Sequence, residues 1–142
     1  MSINNLLEVN NLSVAFETER GLSTAVDDIS FVIPRGSCVG IVGESGCGKS
    51  VTAMSLVRLL PQPVGRITGG EILFDGDDVV KMPHSRLHEL RGGRIGVIFQ
   101  EPMSALNPVH TIGDQIAETL MLHREMTAEA AWVEAINLLN RV

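Results

Sequence analysis

Basic charge is in short supply. Eleven Lys and Arg stand against 17 Asp and Glu, a formal net charge of -6. That balance excludes a general electrostatic grip on nucleic acid or on an anionic bilayer. Cysteine is scarce too. Cys38 and Cys47 form neither a zinc spacing nor a C-x-x-C pair, and two thiols in 142 residues point to a reducing compartment. Aromatic residues make up only 4%, and tyrosine is absent. No run approaches the ~18–20 apolar residues that a membrane span needs. The first residues lack the basic n-region and apolar core of a signal peptide. Internal repeats and low-complexity segments are absent as well. Work at a membrane would therefore need another chain as carrier. What is present is a 44% hydrophobic content, enough for one domain with a real core and too much for default disorder.

The apolar pattern divides the chain. Residues 6–16 and 25–33 read as strands, separated by a polar turn at 17–21 and stopped by Pro34-Arg35-Gly36. The short link favours antiparallel pairing. Residues 38–42 (Cys-Val-Gly-Ile-Val) and 94–99 (Arg-Ile-Gly-Val-Ile-Phe) are nearly continuous apolar runs, the pattern of buried central strands. Residues 50–60 predict a helix apolar on most sides, ended by Pro61 and Pro63. A further strand is expected over 69–76 and a short helix over 83–90, with Gly92-Gly93 beyond it. After a loop bracketed by Pro102 and Pro108, two helices follow. Thr111 and Asp114 have capping-box spacing, and Thr127 is placed to cap the last helix.

One motif is specific. Gly43-Glu-Ser-Gly-Cys-Gly-Lys49-Ser50 fits G-x-x-x-x-G-K-[ST], between an expected strand and an expected helix. Each residue type has a physical task. Gly43, Gly46 and Gly48 let backbone N–H groups turn inward around a polyphosphate. The helix start adds unpaired N–H groups and the positive end of its dipole. Lys49 reaches toward the β- and γ-phosphates, and the Ser50 hydroxyl suits Mg²⁺. Cys47 reads as a small turn residue. A GTPase would also carry D-x-x-G and N-K-x-D, and neither occurs.

With this P-loop, Val14-Ala-Phe16 upstream, Gly70-Glu-Ile-Leu-Phe-Asp-Gly76 and Ile98-Phe-Gln100-Glu-Pro downstream, the chain resembles the nucleotide-binding subunits of ABC transporters. The P-loop string and Phe99-Gln-Glu-Pro-Met-Ser-Ala-Leu-Asn-Pro108 resemble the dipeptide, oligopeptide and nickel importer branch of bacteria. The resemblance implies an α/β fold: a P-loop NTPase core, an N-terminal antiparallel β subdomain and the start of an α-helical subdomain, incomplete. The core part would cover residues 1–100 and the helical part 101–142. It implies ATP and Mg²⁺ as ligands. Phe16 would face adenine. Gly43, Glu44, Ser45, Gly46, Cys47, Gly48, Lys49, Ser50 and Val51 would hold the phosphates. Ser50 and Gln100 would serve Mg²⁺, with Gln100 as the relay residue of the catalytic cycle. Partners would be transmembrane permease subunits and a second ATP-binding subunit, without nucleic acid. The place would be the cytoplasmic face of the bacterial inner membrane. For Phe16, a strand-end core aromatic is the equal alternative.

Other clusters read more plainly. Asp75, Asp77 and Asp78 fail the calcium-loop pattern and read as a solvated turn. His84 and His88 lack a third ligand and read as an exposed face. Met121, Met126 and Trp132 read as packing residues. No Gly-Gly-Gln signature loop and no apolar strand ending in Asp-Glu occurs. The expectation is a chain that ends within the helical subdomain, is poorly soluble or marginally stable, binds nucleotide weakly at best and hydrolyses no ATP alone. The alternatives are a non-transport ATPase of the same superfamily, a small-molecule kinase and a non-functional remnant.

Overall fold

The computed structural model describes residues 5–101 and 105–142. They form two compact units, divided after Leu87. In the first unit, β1 (Asn5–Thr18) and β2 (Gly21–Pro34) form a long antiparallel hairpin. Its tip is Glu19-Arg20, and Thr18 Oγ1 donates to the Gly21 carbonyl at 2.7 Å. After the P-loop comes α1 (Lys49–Leu56), then β3 (Gly65–Phe74) and the short β4 (Asp77–Asp78). The sheet order is β2-β1-β3-β4, and every pairing is antiparallel.

The two long strands carry a bulge that keeps the apolar residues on one face. Leu7 and Val9 are buried, then Leu12 and Val14, a step of three between two steps of two. The extra residue falls at Asn10-Asn11, where Asn11 takes φ 51°. Without the bulge, the second pair would turn to solvent. The irregularity is well tied. Asn11 N–H donates to Ser30 Oγ at 2.8 Å, and its side-chain amide donates to Asp28 Oδ1 at 2.7 Å. Gly70, at φ 84°, faces the bulge. A Cβ there would press on the Asn10 and Asn11 carbonyls, so only glycine fits. With Ile72 and Phe74 these side chains form the apolar face, each contributing about 1.5–3 kcal/mol of burial.

The helix after the P-loop is shorter and less buried than its sequence suggests. It ends at Leu56, not at the prolines. Arg58 takes φ 51°, its N–H bonds the Ser55 carbonyl at 3.0 Å, and Leu59 N–H bonds the Met54 carbonyl at 2.8 Å. This is a Schellman closure with arginine where glycine is usual. The guanidinium donates to the carbonyls of Met82 (2.5 Å) and Val79 (3.4 Å), which offsets the strain. Only Thr52 and Ser55 of α1 are buried, and both hydroxyls donate to the carbonyl one turn back.

The larger correction concerns residues 38–42 and 94–99. Neither run is a strand, and both are largely exposed: Val42 is 93% and Ile98 96% accessible. A central strand exists only between partners that satisfy its N–H and C=O groups. The antiparallel sheet pairs with neither run, so the apolar pattern finds no ladder.

α2 (His84–Leu90) follows Pro83 as expected, and the division between the units falls within it, after Leu87. The second unit is chiefly a helical hairpin of α3 (Ile112–Arg124) and α4 (Ala128–Arg141). Both caps read from sequence are present. Thr111 Oγ1 accepts from Asp114 N–H at 3.2 Å, and Thr127 Oγ1 accepts from Ala130 N–H at 3.3 Å. Ala117, Leu120 and Ala131 form the seam, with Met126 packed against it. Trp132, 45% exposed, lies over Gly113, where a Cβ would meet its ring at 2.7 Å. Among the described residues, no helix is long and apolar enough to cross a membrane.

Candidate functional site

The P-loop is built as its sequence demands. Gly46 and Gly48 take φ 81° and 92°, a region that costs any L side chain strain. Gly48 is the N-cap of α1 and offers no side chain to it, so the helix start keeps its N–H groups for a ligand. Gly48 also sits hard against β2. A Cβ there would lie 2.7 Å from the Ala25 carbonyl oxygen and 3.2 Å from Val26 Cγ2. Thus β2 seats the loop, through backbone that cannot swing aside. A Cβ on Gly43 would lie 2.6 Å from Cys47 Sγ, so the thiol occupies the space that this glycine leaves.

Lys49 closes the loop on itself. Its ammonium donates to the carbonyls of Gly43 (2.8 Å) and Glu44 (2.6 Å) and lies 3.7 Å from Cys47 Sγ. A cation is thereby fixed over a ring of glycine backbone. Cys47 N–H donates to the Glu44 carbonyl at 3.4 Å, and Thr52 Oγ1 donates to the Gly48 carbonyl at 3.0 Å. Ser45 and Ser50 are exposed, with Ser50 in the first turn of α1, and Val51 is half-buried. A cavity of about 340 Å³ lies beside the loop, between Lys49, Cys47 and Thr52 and the β2 residues Ala25, Asp27 and Ile29. The donor set fits a polyphosphate. It has turned glycine backbone, a helix start free of a side-chain cap and one ammonium. The exposed Ser50 hydroxyl fits a Mg²⁺ ligand.

Phe16 stands near this loop through β2. It pairs with Ser23, and Ala25, two residues on, touches Gly48. Along the strands that is on the order of 12 Å from the loop. The ring is half-buried. Gln100 is exposed, in the second unit, at the end of the run 94–99. Of the string from Phe99 to Pro108, Pro102, Met103 and Ser104 lie outside the described residues. Sequence reading did not single out Ala25, Val26 or Thr52 around Gly48. Thr52 had a local signal, one turn from Gly48. The β2 contact depends on tertiary packing and had none.

The remaining polar clusters are structural. Asp75 pairs with Arg35, Asp77 with Arg86 at 2.6 Å, and Asp78 with Lys81 at 2.7 Å. Burial alone would raise the Asp78 pKa. Hydrogen bonds from Lys81 and Val80 N–H, with the Lys81 charge, outweigh it and hold the carboxyl below its ordinary value. Lys81 is raised in turn, chiefly by its bond to Asp78. His84 lines a cleft with Arg58 and Arg66, whereas His88 lines another with Arg91 and His123. Among the described residues, no group of three or more His, Cys, Asp or Glu could hold a metal ion.

Fold and loop together define a phosphate-binding domain of the P-loop kind. The family model described as ABC transporter matches residues 26–142, and the chain belongs to that family. It is 42% identical over 140 residues to the oligopeptide transport ATP-binding protein OppD of Bacillus subtilis. That match covers 99% of this chain and 39% of the relative. It is 49% identical over 137 residues to the peptidoglycan transport ATP-binding protein YejF of Agrobacterium fabrum, covering 96% of this chain and 25% of that one. The chain thus spans less than half the length of these relatives. Among solved structures, the ATP-binding cassette MJ0796, a dimer bound to ADP and phosphate, superposes with a TM-score of 0.80 at 23% identity. It covers 94% of this chain and 56% of MJ0796, and it shows a common fold.

Proposed function

We propose that this chain is the nucleotide-holding portion of an ABC importer ATPase that energises peptide uptake. The observation that carries the reading is Lys49, its ammonium clasped by the Gly43 and Glu44 carbonyls above glycine backbone. Glu44, Ser45, Gly46, Cys47 and Gly48 line the loop that receives the phosphates, and Val51 N–H adds a donor in the first turn of α1. Lys49 neutralises charge on the β- and γ-phosphates. Ser50 ligates Mg²⁺, which when bound supplies further charge neutralisation, and Gln100 senses it. Phe16 stacks on adenine through its π-face. The functional boundary between core and helical subdomain falls after Gln100.

The oligopeptide transport named for the Bacillus subtilis relative supports peptides as the cargo class. As part of the same proposal, the partners are permease subunits and a second ATP-binding subunit, at the inner face of the bacterial membrane. ATP turnover requires a catalytic carboxylate and a signature loop from outside these residues, so the chain alone binds nucleotide and does not turn it over.

The test is a chimera in which residues 1–142 replace the equivalent segment of a peptide-importing relative. Dipeptide uptake that depends on Lys49 is the expected result. Uptake unchanged by Lys49→Ala, or no uptake from a chimera that binds ATP and assembles with its permease, would overturn the reading.

A further inference from the structure

Gly65 is a glycine whose backbone does not need one: its φ lies outside the left-handed region. Only space explains it. It is buried, and it pairs with Phe16 across the β1–β3 ladder. A Cβ on Gly65 would lie 2.8 Å from Phe16 Cε1, 3.1 Å from the Pro61 carbonyl oxygen and 3.3 Å from Leu60 Cβ. The backbone on either side is pinned. Gly65 N–H donates to the Pro61 carbonyl at 2.7 Å, and Glu17 N–H donates to the Val64 carbonyl at 2.7 Å. With both strands held, the tightest of these contacts, at 2.8 Å, is relieved by moving the aromatic ring, while the Pro61 carbonyl and Leu60 need give by only a few tenths of an ångström. The same ring stands one strand away from the β2 residues that seat Gly48.

We infer that Gly65 is a positioning residue for the nucleotide base: its missing side chain leaves the Phe16 ring lodged against β3, in the place from which it meets adenine. This rests on the nucleotide reading above. Gly65 touches neither phosphate nor base and acts through Phe16 alone. Larger residues should therefore weaken recognition of the base and spare recognition of the phosphates.

The experiment compares ATP with inorganic tripolyphosphate, which offers the loop its charge and offers Phe16 nothing. Dissociation constants are measured for the parent chain, Gly65→Val, Gly65→Ala, Phe16→Ala, the Phe16→Ala/Gly65→Val double variant and Lys49→Ala. Loss of one base–aromatic stack corresponds to a fall of about 5- to 100-fold. Gly65→Val should lose ATP affinity in that range and keep tripolyphosphate affinity within twofold. Gly65→Ala should fall between, since the ring tip yields by a few tenths of an ångström. On the Phe16→Ala background, Gly65→Val should add nothing, because a residue acting through another is not additive with it.

Equal weakening toward both ligands, a Gly65 effect that survives removal of Phe16, or no Gly65 effect would overturn the inference. So would loss of the β-sheet circular dichroism signal in both Gly65 variants, which would make the residue purely structural. If Lys49→Ala and Phe16→Ala leave ATP affinity untouched, the nucleotide reading itself fails. If they weaken it and Gly65→Val does not, only the role of Gly65 falls.

Discussion

Gly48→Ala is the sharpest perturbation of the loop. Two costs can be worked from its surroundings. At φ 92° an alanine pays roughly 1–2 kcal/mol of backbone strain. Its Cβ would also stand 2.7 Å from the Ala25 carbonyl oxygen. Ordinary contact needs several tenths of an ångström more, and the obstacle is strand backbone. The loop must therefore lift from β2 by about half an ångström or more. Displacements near 1 Å in a pre-organised site cost on the order of 100-fold. The expected outcome is ATP affinity lower by about 10- to 100-fold, read by isothermal titration calorimetry. Gly76→Ala is the control. Gly76 has φ 84° and nothing within 4 Å of a built Cβ, so it pays the same strain and meets no obstacle. Its ATP affinity should match the parent, with a similar strain cost in a denaturant titration. Parent-like affinity in Gly48→Ala, or an equal loss in Gly76→Ala, would refute the reasoning.

Gly70→Ala should destabilise the first unit by about 2–4 kcal/mol in urea unfolding, since strain at φ 84° adds to contact with the Asn10 and Asn11 carbonyls. A change under 1 kcal/mol would show that the bulge can relax. The Asp78 carboxyl is held below its ordinary pKa of about 4. Its contribution is present above that value and is lost as pH falls through the lower folded pKa. Asp78→Asn should therefore flatten the acid limb of a pH–stability profile below about pH 4 and lower stability near neutrality; an unchanged acid limb would remove the ion pair from the account. Ile98, 96% exposed, should drive self-association. Ile98→Lys should reduce light scattering at high concentration while changing stability by no more than about 0.5 kcal/mol, and equal scattering would place the sticky surface elsewhere.

Features that depend on near neighbours in sequence were legible. The P-loop, Thr111 with Asp114, and Thr127 are all local contracts between a side chain and backbone a few residues away. The hairpin of β1 and β2 was legible from its polar link and flanking apolar runs. Sheet membership was not, because it is a property of partners. Residues 38–42 and 94–99 have the composition of central strands, and neither run joins the antiparallel sheet. The end of α1 was misplaced for a related reason. Arg58 takes a glycine-like conformation because distant carbonyls, those of Val79 and Met82, hold its guanidinium. Gly65 carried no signal at all, since its meaning lies in a register between β1 and β3. Phe16 was named through the family resemblance alone, and its contact with Gly65 had no signal in the sequence.

The central claim is that the loop clasped by Lys49 holds a nucleotide. Its most direct test is calorimetric titration of the chain with Mg-ATP, beside the Lys49→Ala variant. The account predicts saturable binding by the parent chain. Affinity should fall at least tenfold on removing the ammonium, with unchanged circular dichroism. No saturable binding by the parent chain, or equal binding by both, would contradict it.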